Sequence, residues 1–253
     1  METYWQAKYD KYKNKYLLFK NLVKNYFFQT GGRELTSEEN EKVEHLLSYA
    51  KSFIGVPYRW FHTGEKVTGT DKFYADNGPA ISREEIDNKN LCVVCTGLTN
   101  LMRREAGLKI PGTIELPFSD TDILKWTDAE GKEQVSSWKE EGLEYAGTTG
   151  IWFHYLYINK KLEEFNEKKN YPKGTMLIAN YIDIASQGHV AVVVSEGKTI
   201  KEQDIIHATS FSPYSETKDD VGKVVIQNFC EVIEENWFHV THVCLPENWL
   251  LTE

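Results

Sequence analysis

The chain has 253 residues and a formal net charge of −9, from 29 Lys+Arg against 38 Asp+Glu. A hydrophobic content of 41% with 13% aromatic residues is enough for a packed core and excludes wholesale disorder, and an acidic chain is not expected to bind nucleic acid. Four cysteines are too few for a disulfide framework, which favours a reducing compartment. We expect neither a transmembrane segment nor a secretory signal peptide, because no apolar run has the required length or flanks.

The charge divides the chain into an N-terminal arm and an acidic body. Residues 1–33 hold seven basic and two acidic side chains, a net charge of +5, which leaves −14 for residues 34–253. A Gly-Gly pair at 31–32 predicts the end of the arm. Packing on its own domain, self-association or partner docking, and binding to a membrane surface or polyanion all remain open for the arm. It is predicted to be an amphipathic helix from a heptad-like seam of Trp5, Tyr9, Tyr12, Tyr16, Phe19, Val23 and Tyr26.

The first half of the body is predicted to be mainly helical. Thr36 and Glu39 have the spacing of a capping box, so a helix is expected to begin there. Gly55 and Pro57 are expected to end it. Residues 61–90 are expected to be irregular, residues 91–106 helical, and the charged run 160–169 helical. The first of these helices carries an apolar stripe of Val43, Leu46, Leu47, Ala50, Phe53 and Ile54.

The last third of the chain changes its pattern. Short runs rich in β-branched residues are separated by Gly, Ser or charged clusters, which is typical of sequential strands in an antiparallel sheet. Helices followed by such strands predict an α+β fold. The runs are 175–179, 190–195, 205–207, 223–227 and 239–244.

Three residues are candidates for chemistry. Cys95 is expected at or near the start of a helix, where the helix dipole favours a thiolate and backbone N–H groups can bind an oxyanion. His189 precedes the strongest predicted strand, which would aim it rigidly as a general base. His207 ends the next short strand, and a hairpin between the two strands would place it beside His189 as an orienting partner.

The order and context of these residues resemble the NlpC family of papain-like cysteine peptidases, best known as bacterial cell-wall endopeptidases. The resemblance rests on AKSFIGVPYRW at 50–60, CTGL at 95–98, GHV at 188–190 and IHA at 206–208, with KGTML at 173–177 in place of the family's G-D strand. It implies a Cys-bearing helix on a five- to six-stranded antiparallel sheet, in a domain spanning residues 34–253. It implies Cys95 as nucleophile, His189 as base and His207 as the third residue.

The resemblance also implies a substrate-binding surface formed by Tyr58, Trp60, Thr96 and Gly188, with Tyr58 on the family's active-site Tyr. Several positions depart from the family pattern without removing a triad member, and they border the region that reads the substrate. The segments around 61–90 and 118–170 are longer than in the family, and we expect at least one of them to cover the cleft. The departures are Val94 for Asp, Thr96 for Ser, Phe61 and His62 for Gly-Gly, Thr175 for Asp, and Ala191 for Gly.

Other readings of the cysteines are weaker. Cys92 and Cys95 form a C-x-x-C pair, which is compatible with a redox site or half of a zinc site. Cys230 and Cys244 lack the spacing of a second ligand pair, and no thioredoxin-like context precedes the motif. No metal and no cofactor is therefore expected.

The predicted function is hydrolysis of a peptide or isopeptide bond by a Cys-His-His triad, with a cell-wall stem peptide as the first-choice substrate. An isopeptidase or acyltransferase acting on other amide or thioester substrates is the alternative, as is a non-catalytic binding or virion module that keeps the fold. The K-Y-K-N-K-Y run of the arm is similar to N-termini in proteins of large amoeba-infecting DNA viruses. That similarity makes a host cytoplasm or a virion plausible locations.

Overall fold

The computed structural model describes residues 33–58, 74–75, 78–111, 123–127, 133–137, 149–179, 188–209, 222–234 and 238–252. The chain divides into two units, Met1–Glu34 and Leu35–Glu253, and the elements below belong to the second. The predicted arm lies outside the described residues apart from Arg33, and it stays a prediction. Within the described ranges, no helix combines the length and apolar character needed to cross a membrane.

The first helix, α1 (Ser37–Ser52), begins as predicted. The Thr36 hydroxyl accepts a hydrogen bond from the Glu39 N–H, and the Glu39 carboxylate accepts one from the Thr36 N–H, so both halves of the capping box are formed. The predicted stripe is buried except for Ile54, which is 44% exposed. Gly55 follows with φ of +87°, a conformation that favours glycine and ends the helix.

Six strands form one antiparallel sheet, which confirms the predicted α+β class. The strand order is β3-β8-β4-β5-β6-β7, and every pair of neighbours is antiparallel. A separate antiparallel hairpin joins β1 (Ile123–Thr127) to β2 (Glu133–Ser137). The six strands are β3 (Glu163–Glu164), β4 (Met176–Ile178), β5 (Val190–Val193), β6 (Asp204–Thr209), β7 (Lys223–Asn228) and β8 (His242–Cys244).

Five further helices complete the described unit. The buried helix α3 packs against α1 on one side and against β5 and β6 on the other, so a Cys-bearing helix lies on the sheet as expected. The opposite face of the sheet is covered by α5, which packs near a single 3₁₀ turn at Ile200–Glu202. These helices are α2 (Arg83–Asn88), α3 (Cys95–Glu105), α4 (Thr149–Ile158), α5 (Phe229–Glu234) and α6 (Pro246–Trp249).

Helix α3 is fixed at its far end by two arginines. The buried Arg103 guanidinium donates hydrogen bonds to the backbone carbonyls of Lys109 and Trp249, and Arg104 donates to the carbonyl of Pro79. Because carbonyl oxygens satisfy the buried donors, the charge of Arg103 is tolerated in the core. The C-terminal end of α3 is therefore hydrogen-bonded both to a segment that precedes the helix and to segments that follow it.

Three local predictions were wrong. The stretch 61–90 is not irregular throughout, since Ser82 caps the short helix α2 through the Glu85 N–H. The helix expected over 91–106 begins only at Cys95, and residues 91–94 belong to no helix or strand. The run 160–169 is not helical. Lys160 has φ of +56°, and the chain then pairs Glu163 and Glu164 with β8.

Candidate active site

Cys95 is the first residue of α3, and the residue is 3% exposed. The residue before it, Val94, occupies the N-cap position in extended conformation and offers no side-chain cap, so the first N–H groups of the helix are not capped by a side chain at that position. The sulfur is a hydrogen-bond partner of the backbone at Val190 and Thr96. A buried thiol at an uncapped helix start is thus surrounded by donors.

Burial has the largest effect on the ionisation of this thiol. Desolvation raises the pKa of Cys95 above its ordinary value, and hydrogen bonds from the backbone of Val190 and Thr96 and from the Thr149 hydroxyl only partly oppose it. The donors at the helix start favour the thiolate as expected, but desolvation outweighs them. At neutral pH the sulfur is a protonated thiol.

Thr149 is a contact that the sequence did not point to. It is the first residue of α4, and its side chain hydrogen-bonds to Cys95. The first residues of α3 and α4 are therefore in contact at the sulfur. The two helices are joined further along, where Trp152 Nε1 donates to Asn100 Oδ1 over 2.7 Å in the buried core. Thr149 lies in the predicted insertion 118–170, which therefore contributes directly to the surroundings of the thiol.

The two histidines predicted to meet are in contact. His189 Nε2 lies 3.0 Å from His207 Nδ1, and the rings are arranged edge to face. His207 Nε2 lies 2.8 Å from the side-chain oxygen of Gln227 on β7. The His189 ring also packs against Phe238, with centroids 4.7 Å apart. Neither Gln227 nor Phe238 was predicted.

Both imidazoles are neutral at pH 7. Desolvation lowers the pKa of His189 well below its ordinary value, and the neighbouring His207 lowers it further. Desolvation also lowers the pKa of His207 to about 4, although the hydrogen bond to Gln227 acts to raise it. A neutral imidazole carries one N–H and one lone pair, so each ring has both a donor and an acceptor nitrogen.

The thiol and the imidazoles approach the sheet from opposite faces. Val190 and Val192 point to the core that contains Cys95, whereas Ala191 and Ile205 belong to the second core. By strand alternation, His207 shares the face of Ile205. The sulfur reaches the backbone of Val190 at the start of β5, directly after His189, and its hydrogen-bond partners are Val190, Thr96 and Thr149 rather than either imidazole.

The remaining predicted site residues are placed as follows. Tyr58 is buried, and the segment before it is held by a hydrogen bond from the Val93 N–H to the Pro57 carbonyl, two residues from the nucleophile position. Thr96 is also buried, and it offers its backbone to the sulfur. Gly188 lies directly before His189 and is partly exposed. Trp60 lies outside the described residues, as do Phe61 and His62.

The four cysteines, all within the described residues, form no disulfide. The described residues also contain no group of three or more His, Cys, Asp or Glu side chains placed to hold a metal ion. Comparison of the chain with protein-family models, curated proteins and solved structures found no match.

Proposed function

We propose that this protein is a cysteine hydrolase with a papain-like, NlpC-type fold that cleaves a peptide or isopeptide bond. In this proposal Cys95 is the nucleophile, His189 is the general base and acid, and His207 orients His189. One geometric feature supports it most strongly. The buried sulfur at the start of α3 contacts the backbone of the residue that follows His189, and the His189 ring is hydrogen-bonded to His207.

The resting pair is a neutral thiol and a neutral imidazole, because burial raises the pKa of Cys95 and lowers the pKa of His189. The thiol proton therefore passes to His189 as the sulfur attacks the carbonyl carbon, rather than before substrate binds. Negative charge then develops on the carbonyl oxygen. The N–H groups at the start of α3 and the Thr149 hydroxyl, which reach the sulfur, are the donors that we assign to it.

The second half of the reaction reverses the proton's path. The protonated His189 gives its proton to the departing amine, which leaves an acyl group on the Cys95 sulfur as a thioester. His189 then takes a proton from a water molecule, whose oxygen attacks the thioester. Collapse of this intermediate releases the carboxylic acid and returns the proton to the sulfur.

The cell-wall stem peptide is the first substrate to test, because the motifs around Tyr58, Cys95, His189 and His207 resemble those of cell-wall endopeptidases. The acidic body, with a net charge of −14, favours cationic or neutral peptides over polyanions.

The experiment is digestion of purified peptidoglycan, with products read by mass spectrometry. The wild type is expected to release stem-peptide fragments, and Cys95→Ala is expected to lose this activity by a factor on the order of 10⁴ or more. Cys92→Ser is the matched control, since it changes the other cysteine of the same segment and should keep the activity. Equal product from wild type and Cys95→Ala would contradict the nucleophile. Absence of product from both would remove the stem peptide as the substrate.

A further inference from the structure

Gln227 lies at the end of a chain of polar side chains that runs across three neighbouring strands. Strand β5 is preceded by His189, β6 carries His207, and β7 carries Gln227. The register pairs Ile205 with Gln227 and His207 with Val225, so Gln227 is the diagonal neighbour of His207 on the same face of the sheet. The side-chain oxygen of Gln227 reaches His207 Nε2 at 2.8 Å.

The chemistry of an amide oxygen fixes the position of one proton. Such an oxygen can only accept a hydrogen bond, so His207 Nε2 carries the hydrogen. In a neutral imidazole the other nitrogen, Nδ1, then carries the lone pair and accepts. Its partner at 3.0 Å, His189 Nε2, must donate. The lone pair of a neutral His189 is consequently on Nδ1.

We propose that Gln227 is a positioning residue, whose amide oxygen sets the protonated nitrogen of His207 and, through it, leaves the lone pair of His189 on Nδ1, the nitrogen that can then accept a proton in the proposed reaction. This inference rests on the proposed function for its catalytic meaning, but the pattern of protons is a property of the protein without substrate. With the amide turned the other way, its NH₂ group would donate to His207. Both imidazoles would then carry their hydrogen on Nδ1 instead of Nε2, and His189 Nδ1 could not accept a proton.

The first test is nuclear magnetic resonance of the full-length protein labelled with ¹⁵N-histidine, near pH 7. Protonated and unprotonated ring nitrogens have well-separated ¹⁵N shifts, and the signals are assigned with His189→Phe and His207→Phe variants among the seven histidines of the chain. Both His189 and His207 are expected to be protonated on Nε2. Protonation of His189 on Nδ1 in the wild type would overturn the inference.

Three substitutions at one position separate an acceptor from a space-filling side chain. Gln227→Glu keeps an acceptor oxygen, Gln227→Met keeps the length without a hydrogen bond, and Gln227→Lys supplies only a donor. Glu is expected to preserve the wild-type tautomers, and Met is expected to give a mixture at both rings. Unchanged tautomers in the Met variant would show that Gln227 does not set them and would overturn the inference.

Hydrolysis gives the second readout. With KM unchanged, kcat is expected to stay within a few fold of wild type for Glu, to fall about tenfold for Met, and to fall furthest for Lys, because general-base catalysis depends on the correct lone pair. Equal kcat for the Glu and Met variants would contradict the inference. The spectra need no substrate, so a Cys95→Ala protein that retained activity would refute the proposed function without altering the result on Gln227.

Discussion

The sulfur and the imidazoles of the candidate site lie in polar surroundings of opposite kind. Around Cys95 the partners are donors, from the backbone of Val190 and Thr96 and the hydroxyl of Thr149. The imidazole chain ends instead on an acceptor, the oxygen of Gln227. Donors stabilise negative charge, so the surroundings of Cys95 are suited to hold charge. A terminal acceptor fixes which ring nitrogens carry hydrogen, so the imidazoles are suited to move a proton.

Among substitutions that leave Cys95 in place, the largest expected effect comes from breaking the imidazole half. His207→Phe keeps an aromatic ring but removes both nitrogens, which leaves His189 Nε2 without its acceptor at 3.0 Å. Hydrolysis is expected to fall about 10²-fold or more, measured as kcat on the substrate that the digestion assay identifies.

The matched control for this substitution is His242→Phe. His242 is another neutral imidazole, with its pKa lowered to about 4 by desolvation, and it packs edge to face on Phe153 rather than joining the chain of histidines. Its activity should remain at the wild-type level. A similar loss in both variants would mean that His207 acts only by supporting the packing.

A smaller effect is expected from the sulfur half. Thr149→Val keeps the shape of the side chain and removes one donor to the Cys95 sulfur, while the backbone donors remain. We expect kcat to fall about tenfold, less than for loss of a full oxyanion-hole donor. Thr99→Val is the control, because the Thr99 hydroxyl donates to the Thr96 carbonyl instead of the sulfur. If the two variants lost activity equally, Thr149 would have no special relation to the reaction.

The smallest expected effect is on stability rather than activity. The pKa of His207 is about 4 in the folded protein, below the value near 6.5 of an unfolded chain. As pH falls below about 6.5 the unfolded state binds a proton first, so the contribution of His207 is constant at higher pH and is lost towards pH 4. By pH 5 the lost contribution to the free energy of unfolding is about 2 kcal/mol.

Urea unfolding at pH 7 and pH 5 measures this contribution. The wild type should lose stability between the two values, and His207→Phe should lose about 2 kcal/mol less, since the titrating group is gone. An identical difference for wild type and variant would show that the His207 ring is not held neutral by the fold.

The parts of the fold that follow from local chemistry could be predicted. The capping box at Thr36 depends on residues three apart, and the strands β4 to β8 on a short-range pattern, so both were predicted, whereas β3 lies in a run that was expected to be helical. Helix α4 was not recognised because residues 151–153, 155 and 156 are all buried. A helix that is apolar on every side has no amphipathic period to detect.

The same distinction explains what was found of the site. Cys95 and His189 were candidates because each stands at or just before the start of an element that the sequence marks, and His207 because it follows the apolar pair Ile205-Ile206, although β6 continues past it to Thr209. Gln227 was missed because its neighbour depends on the register between β6 and β7, and no short turn fixes that register from the sequence. Thr149 was missed because its contact with Cys95 crosses 54 positions of chain.

Strand β7 lies at the edge of the sheet, and this affects how readily the hydrogen bonds around Gln227 break. Strand β7 is the last strand of the six-stranded order. Its first residues are held by hydrogen bonds between Val224 and the backbone of Gly55 and Val56, and Gln227 lies nearer the other end of the strand. Terminal strands of a sheet tend to separate at a lower free energy than central ones. Under mild denaturant, β7 is therefore expected to exchange its amide hydrogens before the central strands β4 and β5, so that the tautomers of His189 and His207 become mixed while α3 and the thiol remain folded.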